Sequence, residues 1–133
     1  MHQLPSSTFL RRLLFADAVV SGVTGVLMSA AATPLATLLA LPAPLVRYAG
    51  LALLPFAALV LHLARRERVT RTGVLAVIGL NAAWVAASVL VLLTGWVAPN
   101  GLGVAFVLVQ ALAVAVLAEL QYTGLRRAAA AVR

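Results

Sequence analysis

The sequence predicts an all-α fold: a four-helix antiparallel transmembrane bundle with a short interfacial helix between helices 1 and 2. Three observations carry this expectation. First, 64% of the residues are hydrophobic and the mean hydropathy is +1.10. A soluble domain is usually about 45–50% apolar, so lipid must cover part of this surface. Second, the only strongly charged run inside the chain is Ala64-Arg65-Arg66-Glu67-Arg68-Val69-Thr70-Arg71. It cannot sit in hydrocarbon, and it divides two long apolar halves. Third, at about 20 residues per span, 133 residues hold four spans, short loops and no separate soluble domain.

The first span is expected over residues 9–32. Ser6, Ser7 or Thr8 can cap its start, and Arg11 and Arg12 mark its boundary. Two arginines, an apolar run and Ser29-Ala30-Ala31-Ala32 also have the look of a signal peptide. The apolar run is long for that and contains Asp17, so a retained span is the expectation. Residues 34–41 follow, too short to span and fenced by Pro34 and Pro42, which predicts a short helix at the membrane surface. The second span covers about 44–66, with Pro44 in its first turn and Pro55 predicting a kink in its middle. The third covers about 71–94. Gly95 to Gly101 forms a turn with Trp96 as an interfacial anchor and Asn100 as a cap. The fourth span covers about 100–127, and the tail from Ala128 to Arg133 is expected to fray.

All ten basic residues are arginine, and the net charge is +7. Nine of the ten fall at one end of the four spans; only Arg47 lies opposite. The positive-inside rule then places both termini and the central arginine run in the cytoplasm, in a multi-pass inner-membrane topology. Clustered at span ends, the arginines read as topology signals. Arg65, Arg66, Arg68 and Arg71 read as contacts to anionic lipid headgroups, and no nucleic-acid partner is expected.

Taken whole, the chain resembles a mostly uncharacterised kind of small four-span bacterial inner-membrane protein. The resemblance rests on Ala16-Asp17-Ala18 with Ser21-Gly22 and Thr24-Gly25, on Arg47-Tyr48-Ala49-Gly50-Leu51-Ala52-Leu53-Leu54-Pro55, and on Asn81-Ala82-Ala83-Trp84-Val85. It implies a fold and a membrane, and brings neither an activity nor a functional residue.

Polar groups inside spans are costly and need a reason. Asp17, His62, Asn81 and Glu119, one per span, all fall within about 15 Å of an arginine boundary at 1.5 Å per residue. Two readings stand. In one they build a polar cavity open to the cytoplasm that takes a cation, a headgroup or a small polar ligand. In the other, Asp17 and Glu119 pair with arginines, Asn81 and Ser88 bond across helices, and His62 is a wet interfacial side chain. Gln110 and Glu119 are nine residues apart, about 180° around a helix, so they cannot share one centre. Ala18, Gly22 and Gly25 make a smooth strip for close helix packing or a dimer seam. Trp84 is deep, and Asn81 is a candidate acceptor for its N–H.

There is no cysteine, no phosphate-binding glycine loop and no metalloprotease motif. With His2 outside the spans and His62 alone within them, neither a haem nor a zinc site is expected, and no cofactor is assigned. The expected function is a non-catalytic inner-membrane protein that binds lipid, a second copy or another membrane protein. The alternative is an oligomeric transporter or channel component using the polar cavity; a membrane enzyme or cofactor binder is a further alternative.

Overall fold

The computed structural model describes residues 3–5 and 7–131. Five helices follow in order: α1 (Thr8–Ala30), α2 (Ala32–Leu39), α3 (Ala43–Ala64), α4 (Arg71–Leu93) and α5 (Gly101–Ala131). The four long helices are long and apolar enough to cross a bilayer. Their outward faces carry large apolar side chains, Val23, Leu93, Val109 and Leu112 among them, each more than 60% exposed. Such a surface belongs in hydrocarbon, and the chain is a multi-pass membrane protein with an all-α bundle.

Local chemistry sets the helix ends. Ser7 caps α1 by accepting from the Leu10 N–H at 3.0 Å, and Thr70 caps α4 by accepting from the Gly73 N–H at 3.0 Å. Asn100 caps α5 through the Gly103 N–H at 2.8 Å. The short helix starts and stops two residues earlier than its prolines suggest. Ala31 breaks α1 from α2, and Ala40 ends α2 in the left-handed conformation, φ 54°. Pro42 then precedes α3 as its extended cap residue. Helix α3 runs uninterrupted through Pro55, where sequence suggests a kink.

α1 and α3 form one tight antiparallel pair; α4 and α5 form the other. The first pair closes through glycine. A Cβ placed on Gly50 would lie 2.6 Å from the Ser29 nitrogen and 2.7 Å from the Met28 Cβ, and one on Gly25 would lie 2.9 Å from the Gly50 oxygen. The two pairs meet along α1 and α5, whereas α3 and α4 barely touch. α2 folds back over the end opposite the central arginines. Its Ala32, Ala36 and Leu39 join Met28, Leu41, Val46 and Val107 in one buried cluster. Asn100 ties that cover down: its backbone N–H donates to the Leu39 carbonyl and its side-chain amide to the Leu38 carbonyl.

At the arginine-rich end the structure adds two things. A three-residue antiparallel ladder joins β1 (Gln3–Pro5) to β2 (Arg68–Thr70), pairing Leu4 with Val69. It lays the N-terminal segment on the charged run, within which Val69 is fully buried in the core cluster. In addition, α5 continues to Ala131 instead of fraying after Arg127. Ala128 is buried in the same cluster as Leu10, Leu14 and Leu125, which holds those last turns helical. At 31 residues α5 is about 46 Å long, so it extends beyond a roughly 30 Å hydrocarbon layer. Arg133 lies outside the described residues.

Candidate functional site

A buried polar cluster joins three helices near the middle of the bundle. Asp17 on α1 is 1% exposed. Its Oδ2 accepts from Gln121 Nε2 at 2.7 Å and from Asn81 Nδ2 at 2.8 Å, and its Oδ1 accepts from Ser21 Oγ at 3.0 Å. Asn81 Nδ2 also donates to Gln121 Oε1 at 3.2 Å. The helical period puts Asp17 and Ser21 on one face, four residues apart. α4 and α5 then supply the two amides from across the seam. All of these partners are neutral; the expected arginine partner of Asp17 is absent among the described residues.

The other two polar candidates do not join. Glu119 is exposed, pointing outward from α5, and its backbone carbonyl accepts from the Thr123 hydroxyl. His62 is exposed at the arginine-rich end, where its Nε2 lies 3.4 Å from the Arg66 guanidinium. Gln121, two residues past Glu119 and about 200° around the helix, takes the inward place.

The cluster is shut off from the arginine-rich end. One turn toward that end, the three helices contribute Leu14, Val77 and Leu125; two turns away they contribute Leu10, Val74 and Ala128. Four of these six have no exposure at all, and the others have 3–4%. Two apolar layers thus lie where the sequence suggests an opening to the cytoplasm.

The opening is lateral. Between α3 and α4 lies a cavity of about 390 Å³ walled by Leu53, Pro55, Phe56, Leu59, Leu80 and Trp84, with Ser21 and Asn81 at its edge. A second cavity of about 220 Å³ continues toward α2, walled by Leu45, Val46, Ala49, Ala87, Val91 and Phe106, with Trp84, Ser88 and Gln110 also lining it. Trp84 borders both. Its indole N–H donates to Gln110 Oε1 at 2.6 Å, so Gln110 and not Asn81 is the acceptor. Gln110 Nε2 donates in turn to Ser88 Oγ at 3.0 Å, and Ser88 donates to the Trp84 carbonyl at 2.8 Å. The Asn81 Oδ1 accepts no hydrogen bond among the described residues and remains free for an occupant of the larger cavity.

The remaining sequence candidates are packing residues. Ala18 and Gly25 are buried against neighbouring helices, and a Cβ on Gly22 would meet the Ala57 Cβ at 3.7 Å. The small-residue strip of α1 is therefore spent on α3 within the chain. Pro55 forms part of the cleft wall. Among the described residues no three His, Asp or Glu side chains gather as a metal site would require. Compared with protein-family models, with curated proteins and with solved structures, the chain matches none.

Proposed function

We propose that this protein is a non-catalytic bacterial inner-membrane protein that binds a lipid or lipid-like amphiphile sideways, from the bilayer, in the cleft between α3 and α4. One observation carries the reading: α3 and α4 stand apart while every other neighbouring pair of long helices packs, and the gap is apolar and opens laterally. The larger cavity has the volume of a small-molecule pocket, about 300–1,000 Å³. In hydrocarbon an apolar cleft is filled by a chain and not by water. The free Asn81 Oδ1 and the Ser21 hydroxyl at the edge give a bound amphiphile one place to put a hydrogen-bond donor.

The orientation belongs to the same proposal. Arg11, Arg12, Arg65, Arg66, Arg68, Arg71, Arg126 and Arg127 share one end, which the positive-inside rule assigns to the cytoplasm. A reporter fused after residue 133 should report the cytoplasm; a periplasmic signal would reverse the assignment.

The binding test is native mass spectrometry of protein extracted in mild detergent, with an absorption spectrum of the same sample. The expected result is one tightly held amphiphile per chain. Ala52→Phe and Ala87→Phe fill the two cavities and should abolish retention without unfolding the protein. Retention unchanged in both variants would remove the cleft from consideration.

A second reading, an oligomeric transport component, rests on Asp17, since an ionisable group inside a membrane bundle is commonly functional. The two apolar layers at the arginine-rich end and the complete set of neutral partners weigh against it.

A further inference from the structure

A third cavity lies away from the cleft, between the first turn of α4 and the last turns of α5. Its volume is about 220 Å³, and it is lined by Arg71, Tyr122, Leu125, Arg126, Ala129 and Ala130. Leu125 is its buried floor, part of the apolar core at this end. The two alanines leave the space. The two arginines come from different helices and converge on it, and no carboxylate lines it. The Arg126 guanidinium lies 5.8 Å from the centre of the Tyr122 ring, within cation–π range, so it is held at the rim. Arg127, the next residue, turns the other way, onto the Phe9 ring at 5.3 Å.

We propose that this cavity binds the phosphate headgroup of an anionic phospholipid, with Arg71 and Arg126 gripping its oxygens and Tyr122 at its side. Guanidinium groups present paired donors that match phosphate oxygens, and two unopposed arginines facing one small hollow leave an anion as the complementary ligand. The position selects a lipid as the source. The cavity sits where the spans end, and Leu75, one turn inward from Arg71 on α4, is exposed to take an acyl chain. Basic pockets between membrane helices bind such headgroups. Arg65, Arg66 and Arg68 carry the same charge at the same end but line none of these three cavities, so the site is local and not a property of the whole basic end. The inference shares with the proposed function only the placement in a bilayer. It concerns a different cavity, and cleft-filling variants leave it intact.

The test is a native mass spectrometric titration of the detergent-solubilised protein with phosphatidylglycerol and, separately, with phosphatidylcholine. Wild-type protein should prefer the anionic lipid. At about 5-fold per arginine, the double variant Arg71→Gln/Arg126→Gln should lose about 25-fold in phosphatidylglycerol affinity. Arg65→Gln/Arg66→Gln removes equal charge from the same end and should leave the preference in place. Ala130→Trp fills the hollow with no change of charge and should abolish the preference; it decides the matter if the arginine variant does not fold. Equal losses in the two arginine pairs would show a diffuse basic surface and overturn the site. So would an unchanged preference in Ala130→Trp, or full displacement of the lipid by millimolar inorganic phosphate, which would make free phosphate the ligand.

Discussion

Replacing Asp17 by leucine tests what the buried cluster does. Leucine has the branching of aspartate, a larger volume and no polar atom, so the change removes an acceptor without opening a cavity. Three donors then lose their partner: Gln121 Nε2, Asn81 Nδ2 and Ser21 Oγ. Interhelical hydrogen bonds in membrane proteins average about 0.6 kcal/mol and reach about 1.7 kcal/mol, which brackets the loss at about 2–5 kcal/mol for three. Asn81 keeps its 3.2 Å bond to Gln121 Oε1, which moves the expectation to the lower part, about 2–4 kcal/mol. Asparagine at the same position behaves differently. Its oxygen can face the two amides and its NH₂ can donate to the Ser21 hydroxyl, which accepts as readily as it donates. Asp17→Asn should therefore cost no more than about 1 kcal/mol.

The assay is reversible unfolding in mixed micelles titrated with a denaturing detergent, followed by tryptophan fluorescence and checked by circular dichroism. Leucine well below asparagine, and asparagine near the parent, is the expected order. If Asp17→Leu unfolds within about 0.5 kcal/mol of the parent, the cluster does not hold α1 to the α4–α5 pair and the reasoning fails.

Two further predictions concern packing. Gly50→Ala should destabilise strongly, because its Cβ would meet the Ser29 nitrogen at 2.6 Å and backbone cannot move aside, whereas Gly22→Ala, with its nearest neighbour at 3.7 Å, should stay within about 0.5 kcal/mol of the parent in the same unfolding assay. Trp84→Phe and Gln110→Leu should each cost about 1 kcal/mol, and the double variant should cost less than their sum, since both break the one 2.6 Å bond; strict additivity in the unfolding midpoints would deny that coupling.

Much of this fold is legible in the chain. The four spans follow from hydropathy and the arginine boundaries, because a bilayer leaves long apolar segments one option. The cap residues are legible at Ser7 and Asn100 for the usual reason, a short polar side chain before an apolar run. The candidate site is legible in half. Asp17 and Asn81 stand out as polar groups inside spans, and they meet. Gln121 is the member that sequence reasoning misses, two residues from the charged Glu119. The signal was present: Gln110 and Gln121 are eleven residues apart, three turns with about 20° left over, so both face inward along one line of α5. Other features leave no such trace. The β1–β2 ladder is three residues long and includes Pro5, too short for an alternating pattern. The lateral cleft is a lack of close packing between two long helices that are consecutive in sequence, and no residue type marks such a lack.

The distribution of forces explains why the cleft falls where it does. α3 is bound to α1 by glycine-to-glycine approach, which is dispersion at short range and demands a rigid register. α4 is bound to α5 by the Trp84–Gln110–Ser88 bonds and by packing. These two pairs are then joined by the Asp17 cluster, on the α1, α4 and α5 faces, and by the apolar core beyond it, where Leu14, Val77 and Leu125 meet Val60, Leu63 and Ala64 of α3. None of the cluster's hydrogen bonds reaches α3. Widening the gap between α3 and α4 at the level of the cleft therefore breaks none of the cluster's hydrogen bonds. A bundle held by four mutually packed seams would have to lose an interface to admit a chain. Here the α3–α4 seam is thin, with Leu63 packed beside Gly73 at the arginine-rich end, so a chain entering the cleft as proposed would displace little interface and none of the cluster's hydrogen bonds.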